Sequence, residues 1–90
     1  MRLDLFLKLS RLCLRRTLAQ QLCDAGLVEL NGRPAKSAHS VKAGDVITMR
    51  RRDYETVAKV LSVPDKPNVS RRQATELIEI VSEKKFESPD

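Results

Sequence analysis

The apolar period of this chain changes once, at Gly26, and that change restricts the fold more than any other feature. Before it, Leu3, Phe6, Leu7 and Ser10 share one helical stripe, widened by Leu5, Leu9 and Leu12. Leu18, Ala19, Leu22 and Cys23 then line one face of a second helical segment. Thr17 and Gln20 have capping-box spacing at its start, and Gly26 fits its C-terminal stop. After Gly26 the pattern alternates. Val28 and Leu30 flank Glu29, and Asn31-Gly32 is a strong hairpin signal. Pro34 breaks the return strand or confines it to an edge. Residues 35–40 are small and polar, a loop with Val41 as its apolar anchor. Gly44-Asp45 makes a second tight turn before a strand over 46–49 that runs into Arg50, Arg51 and Arg52. Two helices followed by short strands is an α+β order, and nothing repeats internally.

The second half is patterned less sharply. Residues 54–63 are rich in β-formers (Val57, Val60, Leu61, Val63), although their spacing also suits a helix. Residues 64–68 form a loop, and Ser70 with Gln73 has capping-box spacing again. Ala74, Leu77, Ile78 and Val81 predict a short amphipathic helix, and residues 84–90 a frayed end. The expected division is a domain over 1–52 and an extension over 53–90 of strand, loop, short helix and end.

Ninety residues allow one small domain with a modest core. With 41% hydrophobic and 32% charged residues, the chain should be soluble and folded. It has no apolar run near the roughly 20 residues of a membrane helix. Asp4 and Lys8 interrupt the N-terminal apolar run, so no signal peptide is expected and the location should be cytoplasmic. Charge is divided unevenly. Residues 1–52 hold eleven Lys/Arg against four Asp/Glu, a net of +7, whereas residues 53–90 are net −2. That is the footprint of a polyanion-binding domain with a neutral-to-acidic appendage. Charge alone does not separate nucleic acid from an acidic membrane surface. Cys13 and Cys23 have apolar neighbours and read as small buried thiols; with the single His39 they make no metal set.

Residues 10–17 concentrate the cations. Arg11, Arg15 and Arg16 surround Leu12, Cys13 and Leu14, just before the second helix. Cations at a helix N-terminus oppose its dipole, and a docked anion would remove the conflict. The three apolar residues are expected to anchor this loop in the core, leaving the arginines to face phosphate. Arg2, Lys8, Arg33 and Lys36 are expected on the same side. Thr17 and Gln20 serve first as helix caps, with phosphate contact secondary. Arg50 to Arg52 are either polyanion contacts or guards on an edge strand. With no Trp, one Tyr and two Phe, stacking on aromatics contributes little, so a nucleic acid would be read by shape and backbone. No catalytic set is visible. Asp4, Asp24, Glu29 and Asp45 fall in helix-start, helix, strand and turn positions, and no glycine-rich phosphate loop occurs. The chain reads as a non-enzyme that needs no cofactor.

An ordered set of residues then resembles a known family. The set runs Arg2-Leu3-Asp4-Leu5-Phe6-Leu7, the arginine loop, Ala19, Leu22, Gly26 to Gly32, Val41, and Gly44-Asp45-Val46-Ile47. It resembles the RNA-binding domain named after ribosomal small-subunit protein four, over roughly residues 1–50. The resemblance implies the alpha-L fold, two short helices on a small bent sheet, with RNA on the helices and adjacent loops. Among stand-alone chains of this size, Met1 to Asp4, Ser10-Arg11-Leu12 and Arg15 to Ala19 are most similar to the RqcP family of bacterial ribosome quality control. The heat-shock protein fifteen family comes next.

The RqcP resemblance implies a monomer on the large ribosomal subunit, contacting rRNA and peptidyl-tRNA. There it would support template-free alanine tailing by a quality-control protein partner. Arg2 and Arg16 match the arginines expected to matter most, with Lys8, Arg11, Arg15, Thr17, Gln20, Arg33 and Lys36 around them. A tail longer than that family's expected form leaves room for a separate partner. Rival readings are a recycling factor for blocked large subunits, an adaptor working through its tail helix, and a small DNA binder imitating a helix-turn-helix.

Overall fold

The computed structural model describes residues 1–85. Helix α1 spans Leu3–Leu9 and helix α2 spans Arg16–Asp24. Strands β1 (Val28–Leu30), β2 (Arg33–Pro34), β3 (Val46–Arg50) and β4 (Tyr54–Val60) follow, then helix α3 (Arg71–Ala74) and strand β5 (Ile78–Lys85). The five strands form one antiparallel sheet in the order β2-β1-β3-β4-β5. The expected α+β class is observed.

Helix α2 ends where the chain chemistry says it should. After α2, Gly26 takes φ 75° and its N–H donates to the Cys23 carbonyl, while the Leu27 N–H donates to that of Leu22. This is a Schellman stop, which needs a residue tolerant of the left-handed region. The α1 stripe is buried as expected: Leu3, Phe6 and Leu7 are fully enclosed. They meet Ala19 and Cys23 from α2, Val28 and Leu30 from β1, and Ile47 and Met49 from β3.

Asn31 and Gly32 both have positive φ (54° and 83°), the backbone of a two-residue hairpin turn. Asn31 also ties this turn to the next one. Its Nδ2 donates to Asp45 Oδ1 at 3.1 Å, and its Oδ1 accepts from the Val46 N–H at 2.9 Å. Asn31→Ala should therefore cost about 1–2 kcal/mol, since buried Asp45 loses a donor and alanine dislikes the positive φ. Urea unfolding at neutral pH checks this.

The second half departs from expectation. The strand reading of 54–63 holds for β4, and the Ser70–Gln73 capping box is present in full. The amphipathic helix expected through Val81 is not: α3 stops at Ala74, and Ile78 to Lys85 is a strand. The reason lies in the sheet. β4 offers a whole edge, and β5 pairs along all of it, which a four-residue helix cannot match in hydrogen bonds. A register shift between Val57 and Ala58 skips Val81, keeping Ile78 and Ile80 on the same face as Val60 and Ala58. Leu77, just before it, enters the core. Lys84 and Lys85, expected to fray, are paired with Glu55 and Tyr54; the rest of that expected end lies outside the described residues.

Candidate nucleic-acid interface

The arrangement centres on Asp4. From the sequence it is a helix-start carboxylate, but its side chain is fully buried against α2. Asp4 Oδ2 accepts from Arg16 Nε at 3.1 Å and from Gln20 Nε2 at 2.8 Å. Arg2 reaches it from the other side, Nε to Oδ1 at 3.2 Å and Nη2 to Oδ2 at 3.3 Å. The Leu5 N–H donates to Oδ1 at 2.8 Å. Helix geometry explains the convergence, because Arg16 and Gln20 stand four residues apart on one face of α2. That spacing, with a carboxylate flanked by leucines, is the signal that would have revealed Asp4 in the sequence.

Burial by itself would raise the Asp4 pKa, but the bonds from Gln20, Arg16, Arg2 and the Leu5 amide outweigh it and hold the carboxyl at about 2. Its folded pKa thus lies below the ordinary 3.8, so the stabilisation is complete above that value and is lost as pH falls through about 2. The shift corresponds to about 2 kcal/mol. Acid unfolding followed by circular dichroism should show this loss between about pH 4 and 2, and Asp4→Asn should flatten that limb.

Arg2 and Arg16 are therefore held at the protein surface by one carboxylate. Their side chains remain about half exposed, at 51% and 41%, so each guanidinium keeps donors available to a ligand. The expected conflict between Arg16 and the α2 dipole is thus partly answered within the chain. Arg15 occupies the α2 N-cap, and no side chain caps that terminus. The predicted Thr17–Gln20 capping box is absent: Thr17 is the second residue of the helix and is exposed, and Gln20 is committed to Asp4.

The loop before α2 also differs from expectation. Cys13 is buried and Leu12 half-buried, but Leu14 points into solvent instead of anchoring the loop. The backbone explains this. The Cys13 N–H donates to the Leu7 carbonyl at 3.0 Å and Arg51 Nη2 to the Leu12 carbonyl at 3.0 Å, which fixes the two residues before it and turns the next one outward. Lys8 and Arg11 flank this loop, both exposed. Lys36 lies in the loop whose Ser37 and His39 carbonyls accept from the Asp4 and Leu3 N–H groups, so it neighbours the Asp4 end of α1. Arg33 is exposed on the edge strand β2 and makes no hydrogen bond to the Asp4 group among the described residues.

In the later arginine run, Arg50 and Arg51 make contacts within the protein. Arg50 bridges Glu29 of β1 and Glu55 of β4, and Arg51 lies 5.7 Å from the Tyr54 ring centroid. Arg50 ends β3, which is central in the sheet, so the edge-guard reading does not apply to it. Cys13 and Cys23 are free and buried, and burial pushes both thiols up. Among the described residues no cluster of His, Cys, Asp and Glu could hold a metal ion, and no helix is long and apolar enough to cross a membrane.

Two short helices presenting arginines beside a five-stranded antiparallel sheet define a class, and the sequence model of the S4 domain matches residues 1–47. The similarity to particular proteins runs further. The chain is 39% identical over 86 residues to the RQC P-site tRNA stabilizing factor of Bacillus subtilis, covering 96% of this chain and 98% of that one. It is 37% identical over 87 residues to the factor of the same name from Streptococcus pneumoniae, covering 97% of each. Among solved structures, the trimeric Heat Shock Protein 15 of Vibrio cholerae superposes with a TM-score of 0.80 at 29% identity, over 91% of this chain and 82% of that one. The chain belongs to the S4 domain family and, within it, to the family of the RQC P-site tRNA stabilizing factors.

Proposed function

We propose that this protein is a non-catalytic, cytoplasmic RNA-binding factor of the large ribosomal subunit in bacterial ribosome-associated quality control. It holds one arrangement of rRNA and peptidyl-tRNA, and so supports alanine tailing of stalled chains by a protein partner. The observation that carries this reading is the pair Arg2 and Arg16, oriented by one buried carboxylate, in a chain similar along its length to named P-site tRNA stabilizing factors. Arginine suits the task because its fork grips phosphate through parallel N–H bonds and its charge is permanent. Lys8, Arg11, Arg15 and Lys36 extend the cationic face, and Thr17 lies beside it; Gln20 acts through Asp4. Stabilisation works by binding energy alone. It requires higher affinity for the subunit with tRNA in place than for the empty one.

The likeness to Heat Shock Protein 15 favours a second reading, recycling of blocked large subunits. Deleting the protein and measuring alanine tails on stalled chains separates the two. Loss of tails with stalled subunits still cleared supports the tailing reading. Intact tails with accumulated blocked subunits support recycling.

A further inference from the structure

Leu14 is 82% exposed, the most exposed of the large apolar side chains among the described residues. Its backbone is not loose: the preceding two residues are pinned to α1 and to Arg51, and α2 begins two residues later. A leucine held rigidly in water is poised for an apolar contact that forms elsewhere, with its ordering cost already met. Beside it lies a cleft of about 190 Å³, between the arginine loop and the connection over residues 61–70. Leu14, Pro67 and Val69 supply apolar walls, Asn68 an amide, and Lys8 and Arg11 two cations. The Lys8, Arg11 and Asn68 side chains make no hydrogen bond or ion pair within the protein among the described residues. No carboxylate lines the cleft.

The volume is below the roughly 300 Å³ of a small-molecule pocket, and suits a single flat ring system. Apolar walls for a ring, one amide for its edge and two cations for an attached phosphate are the features of a nucleotide site. Arg11 belongs both to this cleft and to the cationic face, which makes the two surfaces continuous. We propose that the cleft takes one unpaired nucleotide of the bound RNA. The base lies against Leu14, Pro67 and Val69, its edge meets Asn68, and its phosphate sits between Lys8 and Arg11. This rests on the RNA-binding reading above and extends it. Recognition is then not confined to shape and backbone: one position is read by aliphatic walls in a chain poor in aromatics. It also gives the second half of the chain a part in RNA recognition, through the loop that carries Pro67 to Val69.

The test is chemical probing of purified large subunits carrying peptidyl-tRNA, with dimethyl sulfate and carbodiimide for bases and hydroxyl radicals for the backbone. Ribosomal RNA and tRNA are read separately, which names the source of the nucleotide. Wild-type protein should shield one unpaired base within a backbone footprint. Leu14→Ala and Asn68→Ala should each free that base while the backbone footprint persists at saturation, with affinity about fivefold weaker. Leu14→Phe should keep the base shielded. Both Leu14 variants should melt like wild type, since the side chain is exposed. Identical base shielding and affinity in wild type and Leu14→Ala would overturn the cleft while leaving the RNA reading intact. No footprint from wild type on either RNA would overturn the RNA reading itself.

Discussion

Arg16→Ala should weaken binding to large subunits carrying peptidyl-tRNA by about ten- to a hundredfold near physiological salt. One lost phosphate contact should also reduce the log–log salt dependence by about one unit. Arg16 acts through geometry as much as charge. Its Nε is fixed on Asp4, so the remaining donors of the fork are aimed outward before RNA arrives. Arg16→Lys keeps the charge and loses the fork, and should recover only part of the affinity. Removing Arg2 as well should bring binding to the level of non-specific cation contacts. Equal affinity of wild type and the double variant at matched salt would reject the site.

Asp4→Asn should have the largest effect on the fold, lowering stability by about 2 kcal/mol and weakening RNA binding as well. Asparagine has nearly the same shape, so packing against α2 survives. It has one acceptor oxygen in place of two, however, and its amide would face donors from Arg16 or Gln20. Losing a partner from a fully buried ion pair costs more, about 3–5 kcal/mol. Here the orphaned groups are half-exposed arginines, which can rehydrate. Urea unfolding measures the stability loss. Binding should fall too, because Arg2 and Arg16 regain rotamer freedom that must be lost again on RNA. If Asp4→Asn bound as tightly as wild type after correction for the folded fraction, the carboxylate would be structural and not a positioning group.

The parts of the fold that rest on local chemistry were legible in the sequence. The α1 stripe, the Gly26 stop, the Asn31-Gly32 turn and the Ser70–Gln73 box each follow from a few adjacent residues. What was not legible depends on partners distant in sequence. Asp4 looks like an ordinary first-turn carboxylate until Arg16 and Gln20 are brought to it from α2. Leu14 looks like a core residue until hydrogen bonds from Cys13 to α1 and from Arg51 to Leu12 orient the loop. The run Ile78 to Val81 suits a helix by period, and becomes a strand because β4 presents an edge to pair with. Arg50 reads as a surface cation, yet bridges Glu29 and Glu55 on the strands beside its own. Of the candidate site, the arginines were visible, and the group that orients two of them was not.

The central claim is that these arginines stabilise tRNA on the large subunit. Its most direct test is equilibrium binding of the protein to purified large subunits, with and without P-site tRNA, across a salt series. The account predicts affinity at least about tenfold tighter with the tRNA present, since stabilisation of a state equals differential affinity for it. It also predicts a steep salt dependence that Arg16→Ala makes shallower. Equal affinity for the two kinds of subunit, or a preference for duplex DNA over ribosomal RNA at the same salt, would contradict it.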